Sequence, residues 1–113
     1  MKIWDSRLSD LDIGEKETDL ITSDDSFTVS ALSLQPGQTE KRHVHRIMNE
    51  LIIILSGKTD FIVNQTRYTL EAGQMIYLET GDIHYQENLY SDEAKMLLIK
   101  TKLNISDHTE LEG

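Results

Sequence analysis

The sequence predicts an all-β fold, a jelly-roll barrel of roughly eight strands. Three observations carry this. Short apolar segments alternate with period two, glycine, asparagine or proline punctuates the chain between them, and no segment shows the apolar period of an amphipathic helix. A length of 113 residues is one domain's worth of chain. The expected division is an N-terminal arm or edge strand over residues 1–25, a barrel over 26–103 and a polar C-terminal tail over 104–113.

Residues 1–25 are rich in acids, with Ile3, Trp4, Leu8, Leu11, Ile13, Leu20 and Ile21 at no helical period. Trp4 is expected to pack on the body or on a partner subunit. From Ser26 to Leu34, Phe27, Val29 and Ala31 alternate with Thr28 and Ser30, and Leu32 and Leu34 continue on the second face, which marks a strand. Gln35-Pro36-Gly37-Gln38 then reads as a type II turn, with Pro presetting φ at the second position and Gly accepting positive φ at the third. A histidine strand, Thr39 to Arg46, and an apolar strand, Glu50 to Ser56, follow. Gly57-Lys58 and Asn64-Gln65 are reversals flanking Thr59 to Val63, and Thr66 to Leu70 returns from the second. Glu71-Ala72-Gly73 and Thr80-Gly81-Asp82 bound Gln74 to Leu78. Ile83 to Asn88 is short and carries His84, Tyr85 and Gln86, and Ala94 to Leu103 closes the barrel. In the tail, Asp107 and Glu110 are spaced as a weak helix capping box, so a short helix or a frayed end is expected there.

Composition narrows the function. A formal net charge of −9, with acids spread along the chain, argues against nucleic acid or an anionic membrane as partner. The longest apolar run, Leu51 to Leu55, is too short to span a bilayer, and the first residues lack a secretion signal, so a cytoplasmic protein is expected. The absence of cysteine removes thiolate chemistry, and any metal must be held by nitrogen and oxygen.

His43-Val44-His45 supplies such atoms. Two residues apart on a strand, both imidazoles project from one face with Cα atoms roughly 6.5 Å apart. After a short reversal Glu50 opens the apolar strand and adds a carboxylate, with Ile52 and Ile54 sharing its face as core. A fourth ligand is sought among the later strands. Of the two other histidines, His108 sits in the polar tail and reads as solvent-exposed, so His84 is the natural candidate. Gln86 and Asn88 share parity with His84 and face the same cavity or serve as ordinary strand polarity. Tyr77 and Met75 read as core or pocket wall. Lys41, Arg42 and Arg46 form a basic cluster, and Arg46 at the strand end is placed to attract an anionic substrate or simply to face solvent.

Two stretches carry a family resemblance. Gly37, five residues, His43-Val44-His45, four residues, Glu50, six residues and Gly57 resemble the first motif of the cupin superfamily. Gly73, five residues, Glu79-Thr80-Gly81, two residues, His84, three residues and Asn88 resemble the second. Glu79 stands where the family prefers proline, which leaves that turn less rigid and puts an acid near the barrel mouth. The resemblance implies a small single-domain protein with a double-stranded β-helix (jelly-roll) barrel. It also implies one divalent transition metal (Mn, Fe, Co, Ni, Cu or Zn) held by His43, His45, Glu50 and His84. Glu50 and His84 are the expected catalytic residues, and parity and strand position make Arg46, Tyr77, Gln86 and Asn88 the expected surround of a substrate. Some members keep such a pocket without metal and use the imidazoles as acids or bases. The expected activity is that of a dioxygenase, lyase, decarboxylase or isomerase acting on a small oxygen-rich molecule. The alternative is a non-catalytic module binding a small molecule or metal. A homodimer is the expected assembly.

Overall fold

A computed structural model of the chain describes residues 1–3, 18–22, 27–46, 48–101 and 108–111. The expected packing of Trp4 and the capping box at Asp107 lie outside the described residues. Ten strands are described: β1 (Thr18–Thr22), β2 (Phe27–Leu34), β3 (His43–His45), β4 (Glu50–Ser56), β5 (Lys58–Val63), β6 (Thr66–Glu71), β7 (Met75–Leu78), β8 (His84–Glu87), β9 (Ala94–Thr101) and β10 (His108–Glu110). They form two antiparallel five-stranded sheets, in the orders β1-β2-β9-β4-β7 and β10-β3-β8-β5-β6. The strands from β2 to β9 correspond to the eight expected, and β1 and β10 extend one edge of each sheet.

Two differences from the sequence reading have physical causes. The histidine strand is shorter than Thr39 to Arg46, because residues 38–40 run beside β8 in an irregular ladder in which Glu40 donates to the Gln86 carbonyl and Asn88 to that of Gln38. The polar tail contains strand β10, where Thr109 pairs with Val44 and Glu110 with His43. Nothing apolar in residues 108–110 announces this strand, since it is built from backbone bonds to an otherwise open edge.

The core lies between the sheets. It comprises Leu32 and Leu34 from β2, Ile52 and Ile54 from β4, Phe61 from β5, Leu78 from β7, and Ala94, Met96 and Leu98 from β9. Residues directly opposite in a ladder point to the same face. The pairs Ile52 with Leu98 and Leu32 with Met96 therefore place one aliphatic row per strand inward, each large side chain contributing about 1.5–3 kcal/mol through burial.

The turns set the register. Gln38 donates to the Gln35 carbonyl at 3.0 Å while Gly37 adopts φ +84°, the type II turn that Pro36-Gly37 encodes. Asn64 and Gln65 both have positive φ, 48° and 76°, so the β5–β6 hairpin closes with the two-residue turn whose twist matches the strands. Gly57, at φ +78°, lies against the backbone of the segment entering β9. A Cβ there would collide with the Glu93 carbonyl oxygen and come within 2.9 Å of Ala94 Cα. Accordingly, Gly57→Ala should cost about 3 kcal/mol. Gln65→Gly, which relieves a left-handed glutamine, should gain about 0.5–1 kcal/mol. Urea unfolding midpoints of the two variants, with an unchanged denaturant slope, check both signs.

Candidate metal centre

The site is assembled from both sheets at one end of the barrel. In the second sheet β3 pairs with β8 so that His43 stands directly opposite His84, and this register turns the two rings to the same inward face. His45, two residues on, joins them. Ring centroids lie 4.2 Å apart for His43 and His84, 5.4 Å for His43 and His45, and 5.6 Å for His45 and His84. Each residue is at most 6% exposed, and one ring nitrogen from each falls within 4.8 Å of the others.

Hydrogen bonds fix which nitrogens are available. His43 Nδ1 is 2.8 Å from the Lys41 carbonyl and His84 Nδ1 is 3.0 Å from that of Asp82. A carbonyl only accepts, so each Nδ1 carries the proton, and in the neutral ring Nε2 presents its lone pair. His84 Nε2 is buried and has no hydrogen-bond partner among the described residues. A buried lone pair without a donor is costly, and a cation would remove that cost. Three inward imidazoles with a carboxylate beside them make a nitrogen and oxygen donor set that suits a divalent first-row metal, so these residues could hold one.

Glu50 comes from the first sheet, at the start of β4. It lies outside the imidazole group but reaches it, with Oε2 3.4 Å from His45 Nε2. Burial raises the Glu50 carboxyl. The hydrogen bond from His45 and the charge of Lys100, whose Nζ is 3.9 Å away, outweigh it and hold the group below its ordinary range as an anion. His84 is lowered as well: burial lowers it and outweighs its bond to the Asp82 carbonyl and the attraction of Glu50, which favours the neutral ring.

The turn from Glu79 to Asp82 braces the site. Asp82 N–H donates to the Glu79 carbonyl at 3.0 Å with Gly81 at φ +92°, again a type II turn. The N–H of Glu79 donates to Asp82 Oδ2 at 2.9 Å, a bond that proline at that position cannot make, so the turn expected to be loose is pinned. Asp82 Oδ1 also accepts from Asn64 Nδ2 at 2.9 Å. The same turn holds the loop after His45: Gly81 N–H donates to the His45 carbonyl, Thr80 N–H to Asn49 Oδ1 and Thr80 Oγ1–H to the Met48 carbonyl.

The remaining expected pocket residues separate. Gln86 is buried on the inner face of β8, two residues beyond His84, and accepts from Thr59 Oγ1 at 3.3 Å. Asn88 is buried but committed to structure, with Nδ2 donating to the carbonyls of Leu34 and Asp92 and Oδ1 accepting from Tyr90 N–H. Arg46 is exposed at the end of β3. Tyr77 is not brought to the site. It pairs with Leu51 on the outer face, opposite to Glu50, and is 54% exposed, so its assignment to the pocket wall is corrected, as is that of Met75 on the same face. A groove of about 1080 Å³ lies on the outer face of the second sheet, bordered by Arg42, Ile62, Ile83 and Tyr85, away from the imidazoles. Two inward polar residues escaped the sequence reading: Lys100 on β9 and Thr28 on β2. Their parity with Met96 and Leu98, and with Leu32 and Leu34, is the signal that points to them.

An antiparallel β-barrel with a buried imidazole cluster at one end defines the class of protein. The Cupin domain family model matches residues 30–100. The chain belongs to the cupin family. An uncharacterised conserved protein with a double-stranded β-helix domain from Klebsiella pneumoniae is 16% identical with a TM-score of 0.82, the match covering 100% of this chain and 99% of that one. A protein from Thermotoga maritima described as a predicted oxalate decarboxylase is 25% identical with a TM-score of 0.64, over 67% of this chain and 66% of that one. A candidate sugar phosphate isomerase from Acidithiobacillus ferrooxidans is 20% identical with a TM-score of 0.64, over 69% of this chain, which spans only 51% of that protein. No curated protein sequence matches the chain. Among the described residues no helix is long and apolar enough to cross a membrane.

The titration of His84 yields a testable slope. Because its folded value lies below the ordinary 6.5, the unfolded chain binds more protons, and the stability this ring contributes is present above about pH 6.5 and lost as pH falls through the folded value. Glu50, also depressed, acts in the same direction at lower pH, below its ordinary 4.5. The urea midpoint of metal-free protein should fall between pH 7.5 and 5.5, and His84→Gln should flatten that dependence.

Proposed function

We propose that this chain is a metal-dependent enzyme acting on a small oxygen-rich molecule, with one divalent transition metal held by His43, His45, His84 and Glu50. The observation that carries the reading is the buried imidazole trio, in which His43 and His84 are both oriented by backbone carbonyls to present Nε2. When bound, the metal supplies Lewis acidity toward a chelating oxygen of the substrate. The chain does the rest. The Lys41 and Asp82 carbonyls keep two rings in one tautomer and one orientation, Ile52 and Leu98 close the barrel below the site to water, and Glu50, an anion at rest, is the carboxylate placed to accept a proton from the bound molecule once it loosens from the metal. Decarboxylation and isomerisation, the reactions in the names of two structural neighbours, suit such a site.

Elemental analysis after reconstitution with Mn, Fe, Ni or Zn should give one metal per chain, and His84→Ala should weaken binding by more than the roughly 100-fold that loss of a ligand's outer partner already brings. No stoichiometric metal in the wild type overturns the reading. Loaded protein incubated with diketones, sugar acids and oxalate should turn over at least one of them, with product mass as the readout. Saturable binding without turnover identifies a binding module instead.

The reading includes a homodimer, supported by the apolar outer face of the first sheet, where edge strand β7 leaves Met75 and Tyr77 exposed. Sedimentation equilibrium should give twice the chain mass for the wild type and a weaker association for Tyr77→Glu. A monomeric wild type sinks this part of the proposal.

A further inference from the structure

A polar row crosses the inner face of the first sheet at the same end as the imidazoles. Thr28 on β2 stands directly opposite Lys100 on β9, and Lys100 stands directly opposite Glu50 on β4. Beyond them in each strand the inward positions become Ser30, Leu98 and Ile52, so the row is the boundary between the apolar core and the site. Two of its properties are unexplained by packing. The Lys100 side chain is only 16% exposed, an expensive place for an ammonium, and its Nζ lies 3.9 Å from Glu50 Oε2. Thr28 is 5% exposed, and its Oγ1 is buried with no hydrogen-bond partner among the described residues. A buried hydroxyl without a partner is a stability cost that an apolar residue of the same shape avoids.

Charge decides what such a row would bind. Glu50 and Lys100 offset each other, so a divalent cation among the imidazoles leaves the cavity with an excess of about two positive charges in a low-dielectric interior. That excess needs an anion. One ammonium and one hydroxyl on neighbouring strands match the two oxygens of a carboxylate, whereas a phosphate calls for more donors than the row offers. We infer that Thr28 and Lys100 form a carboxylate subsite beside the metal position, making the ligand of this barrel a small carboxylic acid that also presents an oxygen to the metal. The inference deepens the proposed function and rests on it for the metal. Lys100 is then a specificity residue, and its pairing with Glu50 is the resting arrangement that the incoming carboxylate shares.

Calorimetry with malonate and its neutral counterpart malonamide tests this on the whole chain loaded with Mn or Ni. Malonate should bind the wild type, and Lys100→Gln should weaken it at least tenfold while changing malonamide binding less than twofold. Lys100→Arg should recover part of the loss. Thr28→Val should weaken malonate severalfold and, by removing the unpaired hydroxyl, raise the melting temperature by about 4 °C. No malonate binding to loaded wild type, or equal malonate affinity in the wild type and Lys100→Gln, overturns the proposal. Loss of metal from both Lys100→Gln and Thr28→Val, read by elemental analysis, overturns it in favour of a purely structural row. If the wild type itself takes up no metal, the metal reading fails separately. Malonate binding to metal-free protein then decides the subsite: dependence on Lys100 supports it and independence refutes it.

Discussion

The register of β8 between β3 and β5 is the constraint on which the site depends. His43 opposes His84 on one side, and Val63 opposes His84 on the other, so these two pairings fix where the ring points. Strand faces alternate strictly, and a slip of one residue would send His84 to the outer surface and bring Tyr85 inward. The register is itself held at both ends of β8. Asn88 ties one end to Leu34 and Asp92, and the bonds linking Asn64 with Ile83 and Asp82 tie the other. Asn88, which reads as a pocket residue by parity, acts instead as a clamp that keeps β8 in place.

Much of this was legible in the sequence because both period and punctuation are local. Alternation around Glu50, Ile52 and Ile54 gives the inner face of β4, and the Pro36-Gly37 and Asn64-Gln65 turns give two reversals. His84 was reachable as the partner of His43 and His45 by weighing the few histidines, and the motif spacing supported it, but its direct pairing with His43 was not, since no local rule states which strand a distant strand joins. What escaped has the same root. Lys100 and Thr28 look like ordinary strand polarity until the ladder puts them in one row with Glu50. Tyr77 was misplaced because β7 is an edge strand with aromatic and apolar residues on both faces, where composition does not identify the buried side. Strand β10 has no apolar pattern to read and exists through backbone pairing alone.

Electrostatics separates this end of the barrel from the rest of an acidic molecule. On the outer face of the second sheet, Asp60 is buried and satisfied by neighbours: it accepts from Arg67 at 2.8 Å, Thr69 at 2.8 Å and Tyr90 at 2.6 Å, and these bonds outweigh burial to hold it below its ordinary value. That network is closed within the chain. The inner site is not, because His84 Nε2 and Thr28 Oγ1 are both buried without partners among the described residues. Buried polar groups are ordinarily hydrogen-bonded, so an added group that met His84 Nε2 or Thr28 Oγ1 would remove a standing cost.

The pinned turn at Glu79 has an evolutionary consequence. A proline there would hold the turn by covalent restraint and make no use of the Asp82 carboxylate at position 79, whereas in this chain the Glu79 N–H depends on it. The two solutions exclude each other at one position and change the burden at another. The effect of replacing Asp82 is therefore conditional on the occupant of residue 79, an epistasis written into the backbone. Proline at 79 would relieve Asp82 of one of its two side-chain bonds and leave it the other, to Asn64, so residue 82 stays constrained in either background.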